Sequence, residues 1–295
     1  MVVGPDVEEQ LQPFHEFECT GENDQYVQDI DKTEEARKNY EPTEVKTFAE
    51  WIEGEYGYKV VPYGEQPDIE GEHKYGYTIV DKNGDVVKTI DRTNVNAKWD
   101  WWTIGGRWNG YLKVKKSSIG LVRRDGFRQL TWYKAPGQDQ ADQCFKGDID
   151  IERMRQEAAD KAAKEYDLFT SLTAGLPPIE TWDSVVKKHD KNYEAARTEY
   201  HAQPGVKAIR ENVVKTIEWD LKDFIEKTRD QYIHMARNKA LATFAMLKDG
   251  VWYERGEMGW FACVSDEKDD WDEQFNAMFD ALPDNTMLTI VDCHI

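Results

Sequence analysis

Two changes of hydrophobic periodicity limit the folds open to this chain. Up to Pro136-Gly137 the apolar residues fall mostly in short, strand-like runs punctuated by turn formers. From there to residue 248 helix formers dominate and apolar residues recur at three- and four-residue steps; beyond it a strand-like pattern returns. A strand, helix and strand order of this kind predicts an α+β protein, with a small mixed or antiparallel sheet drawn from both chain ends and the strands of 74–134. The expected division is one discontinuous α/β domain, 1–136 with 249–295, and a helical insertion or arm at 137–248.

Within that frame Val2-Val3 is a strand stub, and Val7 and Leu11 begin a helix. Thr43 to Tyr56 carries a cap followed by Phe48, Trp51 and Ile52 at helical spacing. Lys74–Val80 and Val86–Ile90 flank Asn83-Gly84, a hairpin signature, and Tyr111–Val114, Ser118–Val122 and Phe127–Tyr133 continue as short strands. Ile149–Leu172 reads as one helix, and a second opens after Pro177-Pro178 and runs to Gln203. The stripe Val206, Ile209, Val213, Ile217, Leu221, Phe224, Tyr232 and Met235 predicts a third helix of about forty residues. A helix that long is a strut, an arm or half of a coiled-coil pair, which points to a homo-oligomer. Gly259–Val264, Asp266–Leu282 and Met287–Ile295 read as a β-α-β unit with parallel strands.

Charge narrows the partners. The net charge of −19 is divided as about −15 over residues 1–72, about +6 over 73–248 and about −10 over 249–295. Acidic flanks repel phosphate backbones and anionic membranes, so direct nucleic-acid binding is disfavoured and a protein with a basic surface is the expected partner. The alternative is that the acidity serves solubility alone. No apolar run approaches the length of a membrane span, and Pro5 interrupts the N-terminus too early for a secretory leader. The four cysteines, Cys19, Cys144, Cys263 and Cys293, lie far apart without a CxxC, which predicts reduced thiols and a cytoplasmic protein.

The densest chemistry lies in Lys98-Trp99-Asp100-Trp101-Trp102-Thr103-Ile104-Gly105-Gly106-Arg107-Trp108-Asn109-Gly110. Strand alternation would send Trp99 and Trp101 to one face as a stacking platform, with Arg107 to grip a phosphate or carboxylate and Lys98 or Asp100 to set polarity. Trp108 and the three glycines complete a candidate site for a flat anionic ligand, a nucleotide for example. A tight structural corner is the competing reading. A second constellation joins the chain ends: His15, Asp292 and His294, with Cys19 optional, are donors that zinc accepts, or a His/Asp acid and base pair. Cys293 points to the opposite strand face, and buried hydrogen-bonded histidines are the alternative. The basic run Lys113, Lys115, Lys116, Arg123, Arg124 and Arg128 beside the tryptophans is a weaker nucleic-acid signal, offset by the acidic flanks. Gly105-Gly106 and Gly110 match neither nucleotide-binding glycine motif, and His73, His189, His201 and His234 are scattered.

Four stretches resemble a family of uncharacterised proteins of bacteriophages and some bacteria: Pro13-Phe14-His15-Glu16-Phe17-Glu18-Cys19-Thr20-Gly21, the Lys98 to Gly110 segment, Glu254-Arg255-Gly256-Glu257-Met258-Gly259-Trp260-Phe261, and Leu282-Pro283-Asp284 through Thr289-Ile290-Val291-Asp292-Cys293-His294-Ile295. Members of that family begin with a longer strand, which implies that this chain starts late. The resemblance implies a phage or mobile-element origin and assigns no activity. Together with the charge it gives the leading expectation, an acidic inhibitor that docks on a host defence complex and blocks its DNA-binding surface. The alternative is a nucleotide- or small-molecule-binding protein or enzyme centred on residues 98–110.

Overall fold

Val2-Val3 is short because it needs only to bridge two strands that arrive from distant parts of the chain. In the computed structural model, which describes residues 1–42, 46–115, 139–212, 217, 221–259 and 263–294, the strands in chain order are β1 (Val2–Val3), β2 (Gln28–Asp31), β3 (Val60–Val61), β4 (Gly76–Val80), β5 (Val86–Thr93), β6 (Trp101–Ile104), β7 (Leu112–Lys113) and β8 (Gln140–Ala141). They continue as β9 (Gln143–Phe145), β10 (Ala245–Lys248), β11 (Val251–Glu254), β12 (Glu257–Met258), β13 (Val264–Ser265), β14 (Met287–Thr289) and β15 (Val291–His294). The main sheet has the order β11-β10-β1-β14-β9. β1 lies parallel to β10 and antiparallel to β14, with Val2 opposite Thr289 and Val3 opposite Leu288. The protein is α+β, and both chain ends meet in one sheet as the pattern at Val2-Val3 and Met287–Ile295 predicts.

Strand alternation divides that sheet between two cores. Met246 and Leu288 face the helix Trp271–Asp280, whose Trp271, Phe275 and Phe279 are buried one turn apart, while Val2 and Leu247 face Leu11, Phe14 and Trp99. β2-β5-β4-β3 form a second sheet around the expected hairpin, in which Asp81 accepts from the backbone N–H groups of Asn83 and Asp85. Of the stretch Thr43 to Tyr56 the helix takes Phe48–Tyr56, started by a reciprocal capping box of Thr47 and Glu50, and Thr43 to Val45 lie outside the described residues. Among the described residues, no helix is long and apolar enough to cross a membrane.

Three expectations need correction. The expected β-α-β unit is absent from the main sheet, because β13 instead pairs antiparallel with β12 in a separate hairpin, and β14 finds β1 and β9. Trp260 to Ala262, within the expected strand, lie outside the described residues, as do Ser118–Val122 and Phe127–Tyr133. The helical unit runs from Ile151 to Lys239, since β9 and β10, assigned to 137–248, both belong to the sheet.

The third correction is the long helix: among the described residues Pro204–Glu211, Leu221–Glu226 and Arg229–Lys239 are helical and Lys248 is in β10, while 213–216, with Val213 of the stripe, and 218–220 lie outside the described residues. Thr228 stops it: its hydroxyl accepts from Gln231 N–H while the Gln231 side chain accepts from Thr228 N–H, which starts a new helix. The second expected helix splits likewise into Trp182–Lys188 and Tyr193–Ala202, because Asp190 and Lys191 adopt left-handed backbone and Asn192 caps the next turn. The apolar stripe folds back on the helix Ile151–Thr173: Val206, Ile209, Ile217, Leu221, Phe224 and Tyr232 are buried with Ala162 against Tyr166 and Phe169. These six residues of the stripe are covered within one chain, so they do not form a projecting arm.

One buried group in the second sheet is poorly matched. Asp91 on β5 is 8% exposed and its Oδ1 atom has no hydrogen-bond partner among the described residues. Burial holds its carboxyl above the ordinary 3.8, opposed by the Tyr58 hydroxyl and reinforced by Glu18. The stability from its protonated form is therefore complete below pH 3.8 and is lost as pH rises through the raised folded value. Asp91→Asn is expected to stabilise the protein by about 1 kcal/mol at pH 7 and by nothing in strong acid. Urea titrations at both pH values check it; a loss of stability at pH 7 contradicts the burial argument.

Candidate functional site

Trp99 and Trp101 face opposite ways because the chain bends at Asp100. Trp99 pairs with His15 in an isolated parallel bridge, where Lys98 N–H donates to Phe14 O and Glu16 N–H to Trp99 O. Its indole is 5% exposed, donates to Leu11 O at 3.0 Å and packs edge-on to Trp102. After the bend β6 pairs antiparallel with β15, with Trp101 opposite His294 and Thr103 opposite Asp292. Trp102, Val291 and Cys293 turn into the core. Trp101, Thr103, Asp292 and His294 therefore share the other face of the ribbon. The expected platform of Trp99 beside Trp101 does not form, since only Trp101, 48% exposed, reaches solvent.

The glycines answer to two carboxylates from the same chain. Asp142, 1% exposed, accepts from Gly110 N–H at 2.6 Å and from the Asn109 amide at 3.0 Å. Asp292, 2% exposed, accepts from Arg107 N–H at 2.8 Å and from its guanidinium through Nε at 2.9 Å and Nη2 at 2.7 Å. Gly105 and Gly106 have φ of 72° and 53°, and a Cβ on them would lie 2.7 Å from Asp142 and 2.4 Å from Asp292. The close approach that glycine permits here is to these side chains. Gly106→Ala is expected to cost about 2–4 kcal/mol from left-handed strain and collision together. Chemical denaturation measures it, and a change under 1 kcal/mol would mean that Asp292 can move aside.

Lys98 pairs with Glu254 at 2.6 Å, and Glu254 also accepts from the Trp252 indole at 2.9 Å. Arg107 is bonded to Asp292 yet half exposed, Lys98 faces Glu254, and Trp99 is internal, so the three do not form one open site. Trp108 is 55% exposed. With it the segment presents to solvent the outer part of Arg107 and Trp101, the latter stacked on His294 with ring centroids 5.3 Å apart, beside Asp100. The chain matches no protein-family model, no curated protein and no solved structure.

The proposed metal triad does not assemble. His15 is buried and stacked on Trp99 at 4.3 Å; the Asn23 amide donates to its Nδ1 at 2.7 Å, which leaves Nε2–H for Asp100 O at 3.2 Å. Asp292 is held by Arg107, and His294 Nδ1 donates to the Asp100 carboxylate at 3.1 Å. Among the described residues no three His, Cys, Asp or Glu side chains are grouped to hold a metal, so the zinc expectation for His15, Asp292 and His294 is withdrawn. The cysteines are free thiols; burial pushes Cys144 and Cys293 up to about 12 and Cys19 upward as well. In the basic run Lys113 pairs with Glu157 and Lys115 donates to Gly147 O, while Lys116, Arg123, Arg124 and Arg128 lie outside the described residues.

Sequence reasoning missed Asp142. Nothing in the sequence singles it out, because Asp139, Gln140 and Gln143 make the surrounding stretch polar. A charge in that position calls for buried donors, and here they come from the glycine loop.

Proposed function

We propose that this chain is an acidic docking protein that binds a basic surface of another protein. The observation that carries the reading is the carboxylate surface of the N-terminal unit. Lys32, Arg37 and Lys59 pair with Glu35, Glu34 and Glu72, and Lys88 and Arg92 of β5 pair with Asp31 and Asp29. That leaves the exposed Glu22, Asp24, Glu53, Glu55, Glu65 and Glu70 without an ion-pair partner among the described residues. Such a surface speeds encounter with a basic protein and discriminates against acidic ones. The resemblance to phage proteins directs the partner to a host defence complex, and the inhibitory mode is occlusion of that partner's DNA-binding surface in the cytoplasm.

The test is capture from host lysate on the immobilised chain at rising salt, followed by competition with double-stranded DNA. Exposed charges are screened beyond about 10 Å at 0.1 M salt, so the partner should elute steeply as salt rises and be displaced by DNA. The double variant Glu53→Lys with Glu55→Lys should weaken capture. A partner indifferent to salt and to these substitutions would rule out electrostatic docking.

A further inference from the structure

We propose that Trp101, Asp100 and His294 form a seat for an arginine side chain of the protein on which this chain docks, an assignment that rests on the acidic-docking reading above. Trp101 lies on the outward face of the β6–β15 ribbon, one ring face covered by His294 at an interplanar angle of 16° and about half its surface open. The pair is rigid. Asp100 Oδ1 accepts from Trp101 N–H at 2.7 Å and the same carboxylate holds His294 Nδ1, while Asp100 N–H donates to His294 O at 2.9 Å. An exposed ring fixed in this way loses little side-chain freedom on binding, the property of an interface anchor.

The charge around the ring selects the guest. Asp100 keeps about a quarter of its side chain exposed. Lys98 is taken up by Glu254 and Arg107 by Asp292, and the donor on Asp100 is the His294 imidazole that stacks on the ring. Glu16 and Glu18 lie at the start of the adjoining helix Phe17–Thr20, which follows His15, the residue bonded to Asp100 O, so three carboxylates gather on this side of the segment. An anion is therefore disfavoured. Indole is the strongest aromatic partner of a cation, and the planar guanidinium can stack on it while donating edge-on to a carboxylate, a geometry that ammonium lacks.

The experiment measures fluorescence polarisation of labelled tri-arginine, tri-lysine and tri-citrulline peptides with the full chain at low salt. Tri-arginine should bind most tightly and tri-citrulline least. Trp101→Leu and Asp100→Asn should each weaken tri-arginine by about 3- to 30-fold, with Trp101→Phe intermediate, while Tyr193→Ala, an exposed aromatic of the helical unit, should change nothing. Circular dichroism confirms that each variant is folded; should Asp100→Asn unfold, the Trp101→Phe and Trp101→Leu series decides alone. Equal binding of arginine and lysine, or arginine binding indifferent to Trp101→Leu, overturns the seat. If the lysate partner is still captured with steep salt dependence by Trp101→Leu, the seat fails and acidic docking stands. If tri-arginine binds through Trp101 but no salt-sensitive partner is captured, the seat stands and the docking reading fails.

Discussion

Arg107→Ala is expected to destabilise the protein by about 3–5 kcal/mol, because it leaves the Asp292 carboxylate buried with one backbone N–H in place of a bidentate guanidinium. The two sides of the pair are unequal. Asp292 is 2% exposed, whereas the Arg107 side chain is 55% exposed. When Asp292 becomes Asn, the guanidinium regains water and the cost falls to about 1–2 kcal/mol. Arg107→Lys keeps the charge but loses the fork, and should lie between. Urea unfolding of the four proteins at pH 7 gives the ranking. Equal stability of Arg107→Ala and the parent would return Arg107 to the role of a ligand contact.

The same residues show where sequence reading succeeds and where it stops. Asn83-Gly84 and the Thr47 to Glu50 box are local devices whose partners lie within four positions, so their structures follow from neighbouring residues. Ile151–Thr173 is equally legible, being a long run of helix formers with one cap at Asp150. The tryptophan segment is conspicuous in the sequence, and a tight corner is one of the two structures it suggests. Its geometry was hidden because Gly106 and Arg107 answer to Asp292, 185 positions from Arg107, and because one bend at Asp100 exchanges the faces that alternation assigns to Trp99 and Trp101. Periodicity records which residues seek burial. It does not record that Thr228 and Asn192 can interrupt the helix that brings them there.

Phe224 tests that last distinction, since the same stripe serves either an interface between copies or a core within one chain. Its ring is 1% exposed and lies 4.4 Å from Tyr232, 5.3 Å from Phe169 and 5.9 Å from Tyr166, centroid to centroid. Truncating a buried phenylalanine removes its transfer free energy and leaves a cavity that aromatic neighbours fill poorly, so Phe224→Ala should cost about 3–5 kcal/mol. Because the neighbours belong to the same chain, the loss should appear as lower unfolding stability that does not depend on protein concentration. Sedimentation at several concentrations should give one mass for parent and variant alike. A variant that keeps its stability but lowers the sedimenting mass would show that the stripe joins two copies, and that the helices fold back on Tyr166 and Phe169 only in part.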